Sequence, residues 1–374
     1  MLRRTMTAVL ILSACLACAG CAVTGELENQ TYVLVLGVDR LEDGALELTA
    51  RVPRIGGKAR DSAGESAGGG DYMVFSAKGG DFALSMEALE WATPRRLNLS
   101  HIEMIVASEA LAKEEGFGKV IDLIAETPHL YTTARFVVCE GTARAFIEAE
   151  QIVIGTRLSA EIDAMLDHYA ARGYIPDSAF ADAYYAGNSI YSDPVAIYAT
   201  LEEEDAPAIA LYGSNGRDVT ASPTRQRFAG AALLRSGTLA GTLGTVRTAL
   251  LNLVLGSTRS VVVDCDGRAC MLSLDGAPVK RVVVCDSGAE LVLRLRLSIA
   301  DDTGVADPKR IERLLTEELS ALVAQCQSLR VDPFGFAEAA APSFPTVRKW
   351  LDYNWRERFA GATADIRVAV RGDQ

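Results

Sequence analysis

Tyr32-Val-Leu-Val-Leu-Gly-Val-Asp39 is an apolar run of strand length, and the stretch Ala45 to Val52 places Leu46, Leu48, Ala50 and Val52 on alternate positions. With the turn residues Glu42-Asp43-Gly44 between them, the two segments read as a hairpin. A hairpin followed by helical periodicity sets the fold class, because the pattern that comes next changes repeatedly between the two kinds of spacing. Residues 56 to 70 hold six glycines and read as a mobile loop. A strand at 72 to 77 follows, then a helix over 80 to 92 stopped at Pro94, whose ring clashes with the preceding turn and which lacks an amide donor. Next come a strand at 101 to 107, Ser108 as N-cap of a helix running to about Glu126, and a strand from Thr132 to Cys139.

Beyond this alternation, residues 142 to 200 read as mainly helical, with Leu158 to Ala171 the clearest segment. Glu202-Glu-Glu-Asp205 and the polar stretch Ser214 to Gln226 interrupt the pattern and mark the major boundary. A strand from Arg227 to Arg235 opens the second half. Leu243, Val246, Leu250 and Val254 then fall on one helical face closed by Gly256. Strands are expected at 258 to 264, 269 to 274, 279 to 285 and 289 to 300. Asp307-Pro308 starts a helix with Ile311, Leu314, Leu315, Leu319, Leu322 and Val323 as its apolar stripe, and Ala364 to Val370 closes the chain as a strand. The expected fold is α+β, mixed sheets flanked by helices, in two to three consecutive domains. The expected division is a signal peptide at 1 to 20, an N-terminal α/β domain at 21 to 140, a small mainly helical middle region at 141 to 213, and a C-terminal α+β domain at 214 to 374.

The first residues carry an export pattern. Arg3 and Arg4 form a positive start, Val9-Leu-Ile-Leu12 an apolar centre and Ala19-Gly20-Cys21 a small-residue exit. The apolar stretch is too short to span a bilayer, which takes about 20 residues. Cys21 is the expected lipid-attachment residue; Leu12-Ser13-Ala14-Cys15 fits the usual lipoprotein box by residue type and offers Cys15 as the rival, and an ordinary signal is the plain alternative. A cysteine carrying diacylglyceryl and acyl chains would hold the protein to a membrane, since each buried methylene contributes about 0.8 kcal/mol and one chain alone binds only marginally.

Charge narrows the partners. The formal net charge of −12 becomes −14 once Arg3 and Arg4 are removed, and no basic tract exists, which argues against nucleic acid. An acidic chain at a membrane is expected to stand off anionic headgroups. The cysteines after Cys21 are Cys139, Cys265, Cys270, Cys285 and Cys326. Cys265 and Cys270 flank a turn and invite a small disulfide or two ordinary strand thiols, while Cys139 and Cys285 end Val-rich runs and read as buried small hydrophobes.

Catalytic patterns are missing from the sequence. His101, His129 and His168 lie in separate elements without partnering Cys-x-x-Cys spacing, so no metal site is expected. There is no Gly-x-Ser-x-Gly elbow, Walker loop or dinucleotide fingerprint. Gly241-Thr-Leu-Gly244 before a helix reads as a tight turn rather than an anion site. The acidic run at Glu202 to Asp205 reads as a solvated loop, with weak divalent-ion binding as the minor alternative, and such a loop is the reverse of the desolvated setting that a general acid needs.

Several segments, taken in order, resemble the Ger(x)C family, the lipoprotein C subunits of spore germinant receptors. Gly20-Cys21, Glu26-Leu27 and Leu36-Gly37-Val38-Asp39 look like the family's lipidated Gly-Cys pair, Glu-Leu ending and first strand, at a separation that favours Cys21 over Cys15. Pro94-Arg-Arg96 and Leu99-Ser-His-Ile-Glu-Met-Ile-Val-Ala-Ser-Glu109 are similar to the proline-arginine turn, strand start and following helix. Asp332-Pro-Phe-Gly-Phe336, then Trp355, Phe359 and the closing strand, match the family's ending. One departure is Ala22, where the family commonly has tryptophan.

The resemblance implies a non-enzymatic, cofactor-free subunit on the outer face of the cytoplasmic membrane, the inner membrane of the spore. Its implied partners are integral membrane A and B subunits, with the nutrient germinant bound by a partner and the C subunit needed for assembly or signalling. Exposed apolar patches for those partners are expected near the Asp332 to Phe336 turn, whereas Phe334, Phe336, Trp355 and Phe359 themselves read as closing a core. The alternative is an extracytoplasmic solute-binding lipoprotein that delivers a small ligand to a transporter, which a cleft between the halves would favour.

Overall fold

In the computed structural model, the structure describes residues 30 to 53, 72 to 93, 95 to 149, 158 to 201, 226 to 264, 269 to 285, 288 to 299 and 307 to 372. The export segment with Cys15 and Cys21, Glu26-Leu27, the glycine-rich stretch, Pro94, the acidic run at 202 to 205, the polar stretch up to Arg225 and Cys265 lie outside the described residues.

Strands β1 (Gln30–Tyr32), β2 (Val35–Arg40), β3 (Leu46–Pro53) and β4 (Tyr72–Gly79) lead into helix α1 (Phe82–Ala92), β5 (Arg96–Asn98) and β6 (Met104–Ser108). Helices α2 (Glu109–Ala112) and α3 (Phe117–Ala125) precede β7 (Arg135–Cys139), and α4 (Ala143–Ala149), α5 (Leu158–Ala171) and α6 (Phe180–Gly187) precede β8 (Val195–Leu201), β9 (Gln226–Arg235) and β10 (Thr238–Gly244). The second half holds α7 (Thr245–Leu255), β11 (Ser260–Asp264), β12 (Ala269–Leu274), β13 (Val279–Cys285), β14 (Gly288–Ile299), α8 (Pro308–Leu329), α9 (Phe336–Ala340), α10 (Val347–Tyr353), α11 (Trp355–Ala360) and β15 (Thr363–Arg371).

The first sheet has eight strands in the order β10-β9-β8-β7-β6-β2-β3-β4. Its centre, β2, β6, β7 and β8, is parallel, and antiparallel pairs close both sides. Central strands buried on both faces explain why they read as continuous apolar runs. Along β6 and β7 the residues divide strictly. Ile105, Ala107, Phe136 and Val138 pack toward α1, α2, α3 and α6, while Met104, Val106, Val137 and Cys139 pack toward α4 and α5. Gly37 stands where β2 faces α4. A Cβ there would lie 2.7 Å from Ile147 Cδ1 and 3.1 Å from the Ala143 Cβ, so only glycine lets the helix approach.

The second sheet holds β11, β12, β14 and β13, with β15 added parallel to β14. Helix α8 covers it with Ile311, Leu315, Leu319, Leu322 and Val323. Asp307 caps that helix by accepting from the Lys309 amide at 3.0 Å. The mixed α+β class is therefore what the chain forms.

Several local expectations change. The helix capped by Ser108 is broken into α2 and α3 at Lys113 to Gly116. Gly241-Thr-Leu-Gly244 is no tight turn; it is the end of β10, paired with β9 across a register shift between Leu239 and Gly241. Residues 141 to 213 include β8, and β9 and β10, placed by sequence in the C-terminal half, hydrogen-bond into the first sheet. Cys139 is buried as expected, and burial pushes its thiol upward in pKa, but Cys285 is exposed on the open face of β13. Cys270 is a free buried thiol in β12, and Cys326 is buried in α8 with its pKa pushed up to about 12 by burial.

At Gly230 the backbone has φ +137°, and a Cβ would sit 2.0 Å from the Leu243 carbonyl oxygen of the neighbouring strand. Gly230→Ala is expected to cost at least ~2 kcal/mol, combining left-handed strain with a backbone clash. Urea unfolding of the purified variant checks this, and an unchanged midpoint would contradict the tight β9–β10 approach.

Candidate functional site

Two of the motifs singled out in the sequence carry an aspartate, and the structure places both carboxylates inside the protein. Asp39, at the end of β2, accepts the Ala143 amide at 2.7 Å and the Arg144 amide at 2.9 Å, with the Ser108 hydroxyl as a third partner. It thus closes the N-terminus of α4, where backbone donors have no partner within the helix. Burial outweighs these donors and raises its pKa.

Asp332 does the same in the second half. Its carboxylate accepts the Ala337 amide at 2.6 Å, the Phe334 and Phe336 amides at 3.3 Å each, and the Trp355 indole N–H at 3.1 Å. Burial pushes its pKa up to about 6 against the pull of these donors. Phe334, Phe336, Trp355 and Phe359 are buried, so the aromatics of this turn close the core rather than forming a patch.

The Asp332 turn also ties the halves together. Its own amide donates to Asp193 Oδ2 at 2.9 Å, and Asp193 Oδ1 receives Arg356 Nη2 at 2.8 Å. Asp193 is only 8% exposed, so the pair is partly desolvated and its loss would leave a buried charge. Nearby, the Trp350 indole donates to the Ile190 carbonyl at 3.1 Å, and Asn252 on α7 donates to the carbonyls of Gly173 and Ile175. A cleft of about 460 Å³ opens beside this network, between the loop from Gly187 to Asp193 and the α10–α11 pair. Exposed Ile190 and Leu351 stand at it, with Val347 on the same helix as Leu351.

No three His, Cys, Asp or Glu side chains converge as a metal-binding group among the described residues. His101 is exposed beside Tyr32, with ring centroids 5.0 Å apart, far from chemistry. The sequence reading missed Asp193, Arg356, Trp350 and Asn252. Their partners lie 77 to 163 residues away, a separation that local pattern does not report.

Comparison with known proteins decides the family. Residues 24 to 201 match the family described as the spore germination protein N-terminal domain, and residues 308 to 371 match the one described as spore germination B3/GerAC like, C-terminal. The chain belongs to the Ger(x)C family. Spore germination protein KC of Bacillus subtilis (strain 168) is 31% identical over 154 residues, covering 41% of this chain and 37% of that protein. The aligned stretch therefore spans well under half of that curated relative. The crystal structure of the GerBC protein shares the fold, with a TM-score of 0.53 and 12% identity over 91% of this chain and 97% of the other. Asp39 and Asp332, each within one of the matched segments, act in this chain as buried helix-closing groups.

Replacing Asp332 by alanine leaves the Ala337 amide and Trp355 indole without their acceptor and is expected to destabilise the fold by at least ~2 kcal/mol. The pH dependence has a definite sign. The folded carboxyl holds its proton to about 6 and an unfolded one only to about 4, so folded protein binds more protons in that window. Relative to the Asp332→Asn variant, wild-type stability should fall as pH rises from about 4 to 6, by at most ~1.4 kcal/mol per pH unit, and be level above it. Parallel denaturation curves across pH measure the difference; a gap independent of pH would refute the buried titration.

Proposed function

We propose that this protein is a lipid-anchored, non-catalytic subunit of a spore germinant receptor, attached through Cys21 to the outer face of the cytoplasmic membrane, the inner membrane of the spore. The observation that carries this reading is the coincidence of the two family matches with an export pattern ending at Cys21. Among the described residues, no helix is long and apolar enough to cross a membrane; in this reading the lipid on Cys21 supplies the attachment. In this reading the subunit serves assembly or signalling in nutrient-triggered germination. It works beside integral membrane A and B subunits, and a partner binds the nutrient. The buried Asp39 and Asp332 support a scaffold role, because each is occupied in closing a helix.

The cleft beside Asp193 favours a second reading, a solute-binding lipoprotein serving a transporter, since its volume lies in the range of small-ligand sites. Asp193 and Arg356 already pair with each other there, which leaves little free charge for an amino acid. Titration calorimetry of the purified protein with amino acids and sugars separates the two, and micromolar binding would favour the second.

For the anchor itself, Cys21→Ala should move the protein from the membrane fraction to the soluble one and lower the germination response to nutrient. Unaltered membrane fractionation of this variant would overturn the assignment of Cys21. Copurification of transporter-like membrane proteins with the wild-type chain in mild detergent is the expected positive result for the receptor reading.

A further inference from the structure

The chain has three tryptophans, and only one faces water. Trp350 and Trp355 are 3% and 7% exposed, whereas Trp91, on the last turn of α1, is 83% exposed. Leu84, seven residues earlier and so on the same helical face, is 58% exposed. The opposite face of α1, with Phe82, Ser85 and Leu89, is buried against the first sheet. Helix α1 is therefore apolar on the side that holds it and shows solvent two large apolar side chains, with Glu87 between them on the same face. The Trp91 indole N–H is satisfied at 3.0 Å by Glu87 Oε1, which leaves the ring as an apolar surface with its polar tip occupied.

Two arginines follow. Arg95 is half-buried and Arg96 exposed, and neither enters an ion pair among the described residues. With Glu87 and Glu90 they make a locally neutral patch on a chain whose net charge is −12, so the general repulsion from anionic headgroups does not hold here. Arg96 opens β5, and its register partner in the parallel pair is Gln30, the first described residue. Adjacent strands lie about 4.8 Å apart. Nine residue steps separate Gln30 from Cys21, a reach of at most ~30 Å at full extension. If Cys21 carries lipid, Gln30 is held within that reach of the bilayer, and Trp91, five residues before Arg96 in the chain, ends α1 on the approach to the β1–β5 pair.

Resting on the Cys21 anchor, we propose that the outer face of α1, with Leu84, Trp91, Arg95 and Arg96, docks on the phospholipid surface and fixes the orientation of the protein on its membrane. The indole ring sits at the headgroup level, where amphipathic aromatics are favoured, and the two guanidinium groups meet lipid phosphates. The lipid supplies attachment and the patch supplies a preferred face.

The test uses the lipidated full-length protein reconstituted in phosphatidylcholine–phosphatidylglycerol vesicles whose acyl chains carry bromine, a contact quencher of tryptophan. Because the other two tryptophans are buried, accessible quenching reports Trp91. The expected result is a blue-shifted emission and a loss of the Trp91 signal of about twofold or more, absent in Trp91→Phe and weakened in the Arg95→Glu/Arg96→Glu variant. If the protein floats with the vesicles but Trp91 is unquenched and open to acrylamide, the docking is overturned and the anchor stands. Lipid-independent shielding of Trp91 from acrylamide in isolated spore membranes would overturn it in favour of a protein partner on this face. If Cys21→Ala floats as well as the wild type, the anchor falls instead, and the bromine signal of that variant decides the patch separately.

Discussion

The fold depends on one strand with two allegiances. In β9, Ala232 and Leu234 point into the core shared with α1, α3 and α6, while Ala231 and Leu233 point into the core built on the second sheet and α8. Side chains alternate across a strand, so a single ribbon with apolar residues on both sides is the simplest way to join two cores without a polar linker between them. Helix α7 then lies on the second-core face with Leu250, Leu251, Leu253 and Val254 buried, and Asn252 reaches back to the loop after α5. Displacing β9 would expose both cores at once. The halves are coupled by burial rather than merely consecutive in sequence.

The polar counterpart of this joint is the Asp193 network. A buried carboxylate is costly unless its oxygens are met by donors, and here each oxygen has one, the Asp332 amide and Arg356. Asp332 in turn holds a turn whose aromatic rings fill the second core. A disturbance at the loop from Gly187 to Asp193 is thereby felt at α11, which places the cleft at the point where the two halves meet through charged and aromatic groups rather than through sheet.

What could be read beforehand follows from how local each signal is. Leu158 to Ala171, Ala269 to Leu274 and Val279 to Cys285 emerged at their expected bounds because helix and strand periodicity is written within a few residues. Strand β10 was misread because Ala240-Gly-Thr-Leu-Gly244 has little strand propensity of its own; its conformation comes from pairing with β9, two residues back along the hairpin. Cys285 was misplaced because Val282-Val-Val-Cys285 is apolar on both alternations, and only the finished sheet tells the covered face from the open one. At the site, the aromatics after Asp332 were legible as core, but Asp193 and Arg356 were not. Neither has a neighbour in sequence that needs it, and their meaning arises only when 163 residues of chain bring them together.

The same distinction between average and local chemistry bears on how an acidic protein lives at a membrane. A net charge of −12 describes the field at distances beyond a Debye length, about 8 Å at physiological salt, and within that length the nearest few side chains decide. On α1 and just after it those side chains are Trp91, Leu84 and two arginines that enter no ion pair among the described residues, set against two glutamates. Global acidity and a locally neutral, apolar face are compatible, and together they orient. In the proposed arrangement the charge keeps the rest of the surface away from the headgroups, and the locally neutral α1 face is held near them by the short chain to a lipidated Cys21. An anchor that only tethered would leave the cleft and the second sheet free to point anywhere. Under the proposed anchoring, a tether combined with one tolerated face would direct the junction of the two halves relative to the membrane plane, which is what a subunit placed beside integral membrane partners would require.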